Sequence, residues 1–507
     1  MSGYILALDQ GTTSSRSILV GEQGNIVALE QQEFVQRYPH PGWVEHDPED
    51  IWQSQLASAQ RLIARNRNRS GTDSKSIIAI GITNQRETTI IWDRSSGVPI
   101  ANAIVWQDRR TADLCADLRS AGMSEQVRSI TGLPIDPYFS ASKITWLLDS
   151  IPGARERAEC GELAFGTVDS YLLWRMTAGR VHATDISNAS RTMLCDLHMG
   201  DWSEEMLALF RIPRALLPSI NPSCHYYGDT EPDLFGRPIP ICGVAGDQQA
   251  ATFGQACHKP GMVKNTYGTG SFLLMNTGHR PHASSHGLIT TTAWDLGGLD
   301  REGCAGRSFA LEGSIFVTGA AVQWLRDELQ IIRSADEIEA LASSVPDTGG
   351  VCFVPAFVGL GAPHWDADAR GAILGLTRGV GRAHIARAVL EAACFQTSDV
   401  LTAMQADCGL VVPELRVDGG MTANSTLLQM QADILGIPVL RPSNTETTAL
   451  GAAYLAGLQA GFWNDLGQLA RLWRQEAVFE PRISPDQRSG MLGQWHDAVR
   501  RVRTQEA

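Results

Sequence analysis

The opening residues of the chain contain two apolar strands joined by a turn rich in hydroxyl groups. Residues 4–8 and 17–20 are the apolar runs, and Asp9-Gln-Gly-Thr-Thr-Ser-Ser-Arg16 lies between them. Glycine permits a tight turn, while hydroxyl, backbone N–H and guanidinium groups all donate hydrogen bonds to anions. The segment therefore predicts a phosphate-binding β-hairpin, in which the Asp9 carboxylate could hold Mg²⁺ through water. A plain Thr/Ser-rich hairpin turn is the simpler alternative.

The segment after this turn argues against two common nucleotide-binding folds. The chain turns again at residues 21–24 and continues as an apolar run at residues 25–29, where Rossmann and P-loop proteins would have a helix. Neither Gly-x-Gly-x-x-Gly nor Gly-x-x-x-x-Gly-Lys-Ser/Thr accompanies the turn, so a dehydrogenase is disfavoured. Only four lysines occur in the chain, none in a Gly-Lys-Ser/Thr context. Phosphate chemistry led by lysine is therefore not expected.

The same pattern occurs again in the second half of the chain. Residues 261–267 have the composition of a strand, Gly268-Thr-Gly270 forms the turn, and residues 271–276 form the returning strand. Two such hairpins suggest two related domains, each bringing a phosphate-facing turn to a shared cleft. Coincidence between two common hairpins is the alternative. Because 507 residues are too many for one core, we predict a first domain of residues 1–253 and a second of residues 254–507.

The overall composition is that of a globular protein. Hydrophobic residues make up 43% of the chain, and no apolar run approaches the roughly 20 residues of a membrane helix. A net charge of −13 argues against nucleic acid as a partner, since duplex binding needs a basic face. Ten cysteines are scattered singly without a Cys-x-x-Cys pair. With no secretory leader, this predicts reduced thiols and a cytoplasmic location without membrane insertion.

Strand-like and helix-like segments alternate along the chain. Residues 77–82 and 241–245 have the composition of buried strands, whereas residues 383–406 and 425–435 have apolar residues at helical spacing. Such alternation implies an α/β architecture.

Asp247 follows the predicted strand at residues 241–245 after a single glycine and begins an alanine-rich helix. A carboxylate in this place could accept the proton of a substrate hydroxyl while the alcohol oxygen attacks a γ-phosphorus. The alternative is an Asp that caps the helix N-terminus, and one residue could serve both roles.

Arg86 and Glu87 lie in a polar segment, residues 83–89, that follows the predicted strand at residues 77–82. Ligands of open α/β sheets collect at such strand ends. An adjacent Arg and Glu offer fixed donors and acceptors that match neighbouring hydroxyls of a small polyol. The alternative is a surface ion pair, which is common and weak.

Aromatic and glycine residues add further candidates. Trp106 and Tyr138 could form walls of a pocket, although such residues more often pack in a core. Gly419 and Gly420 follow a predicted strand, where they would let a base or ribose approach the backbone closely. A tight turn from strand to helix, with Asn424 as the helix cap, is the alternative.

Together these motifs resemble the FGGY family of carbohydrate kinases, and within it the branch that phosphorylates glycerol. The matching segments, in order between about residue 4 and residue 463, are residues 9–16, 81–89, 104–106, 138–147, 246–249, 265–272, 371–391 and 417–420. Asn-Gln-Arg-Glu-Thr at 84–88 and Pro-Gly-Trp-Val-Glu-His-Asp at 41–47 resemble the glycerol branch. The sequence departs from the usual pattern of this branch in two places. His364 stands where Tyr is usual, and residues 227–238 lack the Gly-rich loop of some bacterial members. The second departure concerns regulation rather than catalysis.

The resemblance implies an α/β fold of two actin-like, hexokinase-like (ribonuclease H-type) domains flanking a catalytic cleft. It also implies ATP-dependent phosphorylation of glycerol to sn-glycerol 3-phosphate, with Mg²⁺. By motif, the glycerol pocket would contain Arg86, Glu87, Trp106, Tyr138, Asp247, Gln248 and Phe272, with Asp247 as general base. The nucleotide would be held by Thr12, Thr13, Ser14, Arg16, Thr269, Gly319, Gln323, Gly420 and Asn424, and Asp9 would face the metal.

The expected ligands are thus glycerol and ATP or ADP, and a homo-oligomer, dimer or tetramer, is expected. Two alternative functions remain open. One is the same chemistry on another polyol or a ketose such as a pentulose. The other is a nonenzymatic actin-like or chaperone-like ATPase that uses closure to grip a partner and hydrolyses ATP slowly whatever sugar is present. Such a protein would have no use for Arg86, Glu87 and Asp247 together.

Overall fold

The computed structural model describes residues 3–70, 76–299 and 306–504. The strands of the first half are β1 Tyr4–Gln10, β2 Ser14–Val20, β3 Ile26–Glu33, β4 Glu45–His46, β5 Ile77–Asn84, β6 Ile90–Asp93, β7 Ala103–Ile104, β8 Leu163–Gly166, β9 Ala183–Asp185, β10 Cys195–Asp196, β11 Asp201–Trp202, β12 Ser219–Asn221, β13 Cys224–Asp229 and β14 Pro240–Gly246. Those of the second half are β15 Val263–Tyr267, β16 Ser271–Gly278, β17 Ile289–Asp295, β18 Arg307–Ile315, β19 Cys352–Val354, β20 Ala372–Leu374, β21 Leu415–Asp418, β22 Val439–Pro442 and β23 Gln475–Phe479.

Helices lie between these strands in both halves. The helices of the first half are α1 Pro48–Ser70, α2 Ala112–Ser120, α3 Ser124–Thr131, α4 Ser140–Ser150, α5 Ala154–Glu159, α6 Val168–Met176, α7 Ile186–Ala189, α8 Glu204–Phe210, α9 Pro232–Phe235 and α10 Asp247–Gly254. Those of the second half are α11 Gly319–Asp327, α12 Glu337–Ser343, α13 Arg382–Cys408, α14 Ser425–Leu435, α15 Thr447–Gln459, α16 Leu466–Leu472 and α17 Pro485–Val502. Among the described residues, no helix is both long and apolar enough to cross a membrane.

The large sheets of the two halves share one topology. The first has the order β13-β14-β5-β1-β2-β3, and the second has the order β17-β18-β16-β15-β21-β22-β23. In the first, β1, β2 and β3 form an antiparallel meander, and β5 and β14 then run parallel to β1. In the second, β15, β16 and β18 are antiparallel neighbours in the corresponding places, β17 is an additional edge strand beyond β18, and β21 and β22 run parallel to β15. Each half therefore has the predicted ribonuclease H-type arrangement, and the two hairpins that suggested a repeat are equivalent.

Both faces of the first sheet are covered, which explains why its strands are almost continuously apolar. Along β1, Leu6 and Leu8 pack on one face with residues of α1 and α6, whereas Ile5 and Ala7 pack on the other with residues of α10 and α15. Helix α15 belongs to the second half by sequence, yet it packs against α10, β5 and β14. The many alanine and glycine residues of α15 permit this close approach.

The predicted elements agree with the observed ones. The strands expected at residues 77–82 and 241–245 are β5 and β14, and the helices expected at residues 383–406 and 425–435 are α13 and α14. The predicted domain boundary after residue 253 stays a prediction, and it falls at the end of α10.

Candidate active site

Strand register places three polar segments side by side at one edge of the first sheet. Gln10 at the end of β1 pairs with Asn84 at the end of β5, which pairs with Gly246 at the end of β14. Because these strands are parallel, their carboxyl ends lie at the same edge, which is where ligands of open α/β sheets bind. The residues that follow each strand, beginning at Gly11, Gln85 and Asp247, therefore meet there.

The Arg86 guanidinium lies at the centre of this edge. Its Nε is 3.1 Å from Oδ1 of Asp247, and its Nη1 donates a 3.2 Å hydrogen bond to Oε1 of Gln249. Arg86 is almost fully buried, at 3% exposure. It lies across Gly246, where a Cβ atom would come within 2.8 Å of the Arg86 side chain. A residue larger than glycine at 246 would therefore displace the guanidinium from Asp247.

Glu87 is also buried, and its backbone has an unusual conformation. Its φ of 62° lies in the left-handed region, which non-glycine residues adopt mainly where surrounding structure imposes it. The Glu87 carbonyl accepts a 3.0 Å hydrogen bond from Ser140 Oγ, and its carboxylate accepts one of 2.6 Å from Arg191 Nε. The backbone carbonyl and one carboxylate oxygen of Glu87 are thus both held, and the pair Arg86–Glu87 is a buried feature rather than the exposed ion pair considered as the alternative.

Three aromatic side chains form one wall next to these charges. The ring of Trp106 contacts those of Tyr138 and Phe272 edge-on, with centroids 5.7 and 6.4 Å apart. Trp106 also donates a 3.0 Å hydrogen bond from Nε1 to Oγ1 of Thr12, in the turn between β1 and β2. All three rings are only partly buried. They therefore present apolar surface beside the Arg86–Glu87 pair, and their role as walls of a pocket stays a prediction.

The structure separates the two roles considered for Asp247. The N-cap residue of α10 is Gly246, so Asp247 is the first helical residue and its interpretation as the N-cap is wrong. Its Oδ1 accepts a 2.7 Å hydrogen bond from its neighbour Gln248 N, and the side chain remains 31% exposed. Burial raises the pKa of the carboxyl, and the Arg86 guanidinium opposes this rise. The Asp247 carboxylate thus lies beside Arg86 and remains accessible to a ligand.

Asp9 and Arg16 face each other across the first hairpin, where they are paired in register. The Arg16 guanidinium contacts Glu446, at the start of α15, and lies 3.9 Å from Asp9. Burial, together with the charges of Glu446 and Asp247, raises the pKa of Asp9 to about 7 despite Arg16. Mg²⁺ binds through one or two carboxylates plus phosphate oxygens and water, so a single carboxylate such as that of Asp9 has the chemistry expected of a metal-facing group.

A cavity of about 670 Å³ opens beside Arg16 and extends between the two halves. Its lining includes Gly420 and Asp418 at the end of β21, together with Arg441 and Glu446. A Cβ atom at Gly420 would meet no atom within 4 Å, so the backbone there is open to a flat group. The cavity thus lies between Arg16 of the first hairpin and the residues of the second half that are predicted to bind the nucleotide.

The other predicted nucleotide residues are distributed around this region. Gly319 donates from its backbone N–H to the Gly268 carbonyl at 3.1 Å, and Ala320 donates to the Thr269 carbonyl at 3.0 Å. These two bonds fix the start of α11 against the turn at residues 268–270. Asn424 caps α14 by accepting from Leu427 N at 2.8 Å, so its capping role is confirmed, while its role toward the nucleotide stays a prediction. The remaining members are Thr13 and Gln323, which are exposed, and Ser14, whose Oγ accepts from Gln31.

Four charged residues at the site are absent from the sequence-based prediction. Glu312 of β18 and Arg191, which follows α7, both contact the Arg86–Glu87 pair. Lys264 donates from Nζ to Gln248 Oε1 and, at 2.8 Å, to Thr266 Oγ1, and burial lowers its pKa to about 8. Lys143 donates to the Tyr138 carbonyl at 2.6 Å. The one signal in the sequence is the isolated charge that Glu312 and Lys264 introduce into apolar strands.

Comparisons with known proteins identify the family of the chain. Models of the FGGY family of carbohydrate kinases match residues 4–254 with the N-terminal domain and residues 263–460 with the C-terminal domain. Glycerol kinase 2 of Thermotoga maritima is 57% identical over 98% of both chains. The crystal structure of Plasmodium falciparum glycerol kinase with ADP superposes with a TM-score of 0.93 at 37% identity, over 100% of this chain and 99% of the other.

A more distant solved structure extends the likeness of the fold alone. Gluconate kinase from Lactobacillus acidophilus superposes with a TM-score of 0.87 at 21% identity, over 99% of this chain and 98% of its own. Both family domains are thus matched in order, and a curated relative aligns end to end at more than half identity. The chain therefore belongs to the FGGY family of carbohydrate kinases.

Proposed function

We propose that this protein transfers the γ-phosphoryl group of ATP to a terminal hydroxyl of glycerol, forming sn-glycerol 3-phosphate. The observation that carries the proposal is the buried Arg86–Glu87 pair with Asp247 beside it, Arg86 Nε lying 3.1 Å from Asp247 Oδ1. A small polyol needs such adjacent donors and acceptors for its hydroxyls, and its reacting hydroxyl needs a proton acceptor. Relatives named glycerol kinase at 57% identity over nearly the whole chain support the choice of substrate.

In this proposal Arg86 and Glu87 bind two hydroxyls of glycerol, and the rings of Trp106, Tyr138 and Phe272 contact its carbon atoms. The third hydroxyl then faces the Asp247 carboxylate, which accepts its proton as the oxygen attacks the γ-phosphorus. Because the protein raises the pKa of Asp247, this carboxylate is a stronger base than one in water. Closure of the two halves would exclude water, which competes with glycerol as acceptor.

The nucleotide is proposed to occupy the cavity beside Arg16. The first hairpin would supply Thr12, Thr13, Ser14 and Arg16 to the phosphates, and the second half would supply Thr269, Gly319, Gln323, Gly420 and Asn424. When Mg²⁺ is bound, it neutralises charge on the β- and γ-phosphates. Asp9, with Asp247 nearby, would hold that ion, which is consistent with the raised pKa of Asp9. Arg16 would exchange its contact with Glu446 for one with phosphate.

A coupled assay on the purified protein tests the proposal. We expect ATP-dependent formation of glycerol 3-phosphate, with kcat/KM for glycerol above that for xylulose, gluconate and other polyols by at least about 10²-fold. ATP hydrolysis without any polyol should be slow. Absence of glycerol 3-phosphate would refute the proposal. Preference for a ketose would assign the same chemistry to another substrate.

Assembly and location are proposals as well. We infer a homo-oligomer, a dimer or a tetramer, from the family resemblance, and light scattering coupled to size exclusion would measure the mass in solution.

We also infer a cytoplasmic location. Free and mostly buried thiols, such as those of Cys115, Cys195 and Cys394, support a reducing compartment.

A further inference from the structure

Behind the proposed glycerol-binding pair lies a buried cluster of charges that draws on both halves of the chain. Glu312 accepts two hydrogen bonds from Arg86, Nη1 to Oε2 at 2.6 Å and Nη2 to Oε1 at 3.0 Å. Arg191 donates to Glu87 Oε1 at 2.6 Å and to Glu312 Oε1 at 3.1 Å. All four side chains are at most 3% exposed. The cluster therefore contains two guanidiniums and two carboxylates in alternating contact.

This arrangement fixes the two residues that face the substrate. Two parallel hydrogen bonds to one carboxylate hold a guanidinium in a single plane, which a single contact cannot do. Arg86 is held in this way by Glu312, so its Nε remains on the side of Asp247. Glu87 is held through one oxygen by Arg191, and within the described residues its second oxygen makes no hydrogen bond. The Nη atoms of Arg86 and one carboxylate oxygen of Glu87 thus bond within the cluster, whereas Arg86 Nε and the second Glu87 oxygen are left for a ligand.

The charges of the cluster also balance each other. Burial alone would raise the pKa of Glu312, but the guanidiniums of Arg191 and Arg86 outweigh it and lower that pKa to about 2. Arg191 is fully buried and its Nη1 has no hydrogen-bond partner within the described residues. A buried charge of this kind is tolerated only where its neighbours compensate it. Removing Glu312 would leave Arg86 with Asp247 as its main carboxylate partner.

We propose that Glu312 and Arg191 are positioning residues that set the hydroxyl selectivity of the site. They act through Arg86 and Glu87, whose orientation they fix, and do not themselves touch the polyol. The proposal rests on the proposed function, because selectivity for glycerol is the property measured. It assigns a role in substrate discrimination to Glu312, a residue of the second half that lies 226 positions from Arg86 in sequence.

The test compares glycerol with 1,3-propanediol, which keeps the terminal hydroxyls and lacks the central one. Glu312→Gln preserves the shape of the side chain and removes its charge. We expect this variant to raise the KM for glycerol and to lower kcat/KM for glycerol by about 10²-fold, while the KM for ATP changes by less than about twofold. The ratio of kcat/KM for glycerol to that for 1,3-propanediol should fall at least about tenfold.

Glu391→Gln is the matched control. Glu391 is also a buried glutamate of the second half paired with an arginine, Arg387 at 3.0 Å, but it lies on α13 against a different cavity. We expect it to leave the ratio unchanged even if it lowers the thermal stability. A folded Glu312→Gln protein that keeps the native ratio would overturn the proposal, since a purely structural role predicts lower stability with unaltered selectivity.

A second variant decides the question if Glu312→Gln does not fold. Arg191→Lys keeps the positive charge but cannot contact Glu87 and Glu312 together through one planar group. It should lower the same ratio, and an unchanged ratio would again overturn the proposal. Failure of the native protein to phosphorylate glycerol would instead refute the proposed function, so the two failures are distinguishable.

Discussion

Replacing Asp247 by Asn separates proton transfer from substrate binding. An amide is nearly the same shape as a carboxylate, so the amide oxygen can keep both contacts of Oδ1, with Gln248 N at 2.7 Å and Arg86 Nε at 3.1 Å. Arg86 remains paired with Glu312 through two hydrogen bonds, so its charge stays compensated. The substitution therefore removes basicity while changing little else in the site.

The expected magnitude follows from these contacts. Weakening one charge-assisted hydrogen bond costs about 1 kcal/mol, which would change the glycerol Kd by less than about tenfold. Loss of the general base should lower kcat by about 10² to 10⁴, or about 2.7 to 5.4 kcal/mol of activation free energy. Calorimetry on the glycerol complex and a coupled assay measure the two quantities separately.

The matched control is Asp465→Asn. Asp465 caps α16 by accepting a hydrogen bond from Gln468 N at 2.7 Å, and Asn is an equally good cap. This variant should keep native activity and stability. If Asp247→Asn retained kcat within about tenfold of native, Asp247 would not be the base. A large rise in the glycerol Kd with little change in kcat would instead assign Asp247 to binding.

Three further predictions concern packing, pH and the metal. Gly451→Ala in α15 would place a Cβ atom 1.8 Å from the Ala250 carbonyl oxygen, so we expect it to lower the free energy of unfolding, measured in urea, by about 1 to 3 kcal/mol. The control Gly490→Ala adds a Cβ atom in open space on α17 and should not destabilise the protein. The pKa of Glu312 is lowered from 4.5 to about 2 in the folded state, so the stability gained from its charge is complete above about pH 4.5 and is lost as the pH falls to about 2. The difference in urea midpoint between native protein and Glu312→Gln should therefore shrink between pH 4.5 and pH 2 and stay constant near neutral pH. The pKa of Asp9 is raised to about 7, so the affinity for Mg-ADP measured by calorimetry should weaken as the pH falls below 7. Asp9→Asn should bind Mg-ADP more weakly and lose most of this pH dependence. An identical pH profile in both proteins would exclude Asp9 as the metal-facing group.

Much of the fold follows from short-range patterns in the sequence. The hairpins β1–β2 and β15–β16, the strands β5 and β14 and the helices α13 and α14 all lie where periodicity and glycine placement predict them. These signals are local, because a strand or a helix is specified by residues a few positions apart. The repeated hairpin also predicted the equivalence of the two sheets, since each hairpin begins the same strand order.

The proposed substrate-facing residues could be located from sequence for a similar reason. Arg86 and Asp247 each follow the end of a predicted parallel strand, and the ends of such strands meet at one edge of a sheet. The role of Asp247 as a helix cap was wrong because α10 begins one residue earlier than that role requires, with Gly246 as its cap. Propensity places a helix start within a few residues, and that uncertainty is larger than the difference between the two roles.

The charges that hold the site were decided by tertiary structure alone. Arg191 carries no local sequence signal, and Glu312 is only an isolated charge in an apolar strand; each acquires its partners through contacts between segments more than a hundred positions apart. The same holds for Glu446, which meets Arg16 across the two halves, and for α15, which leaves its own half to pack on the first sheet. Sequence patterns specify which face of an element is buried, but the partner it meets depends on how whole sheets and helices pack, and only the folded chain contains that information.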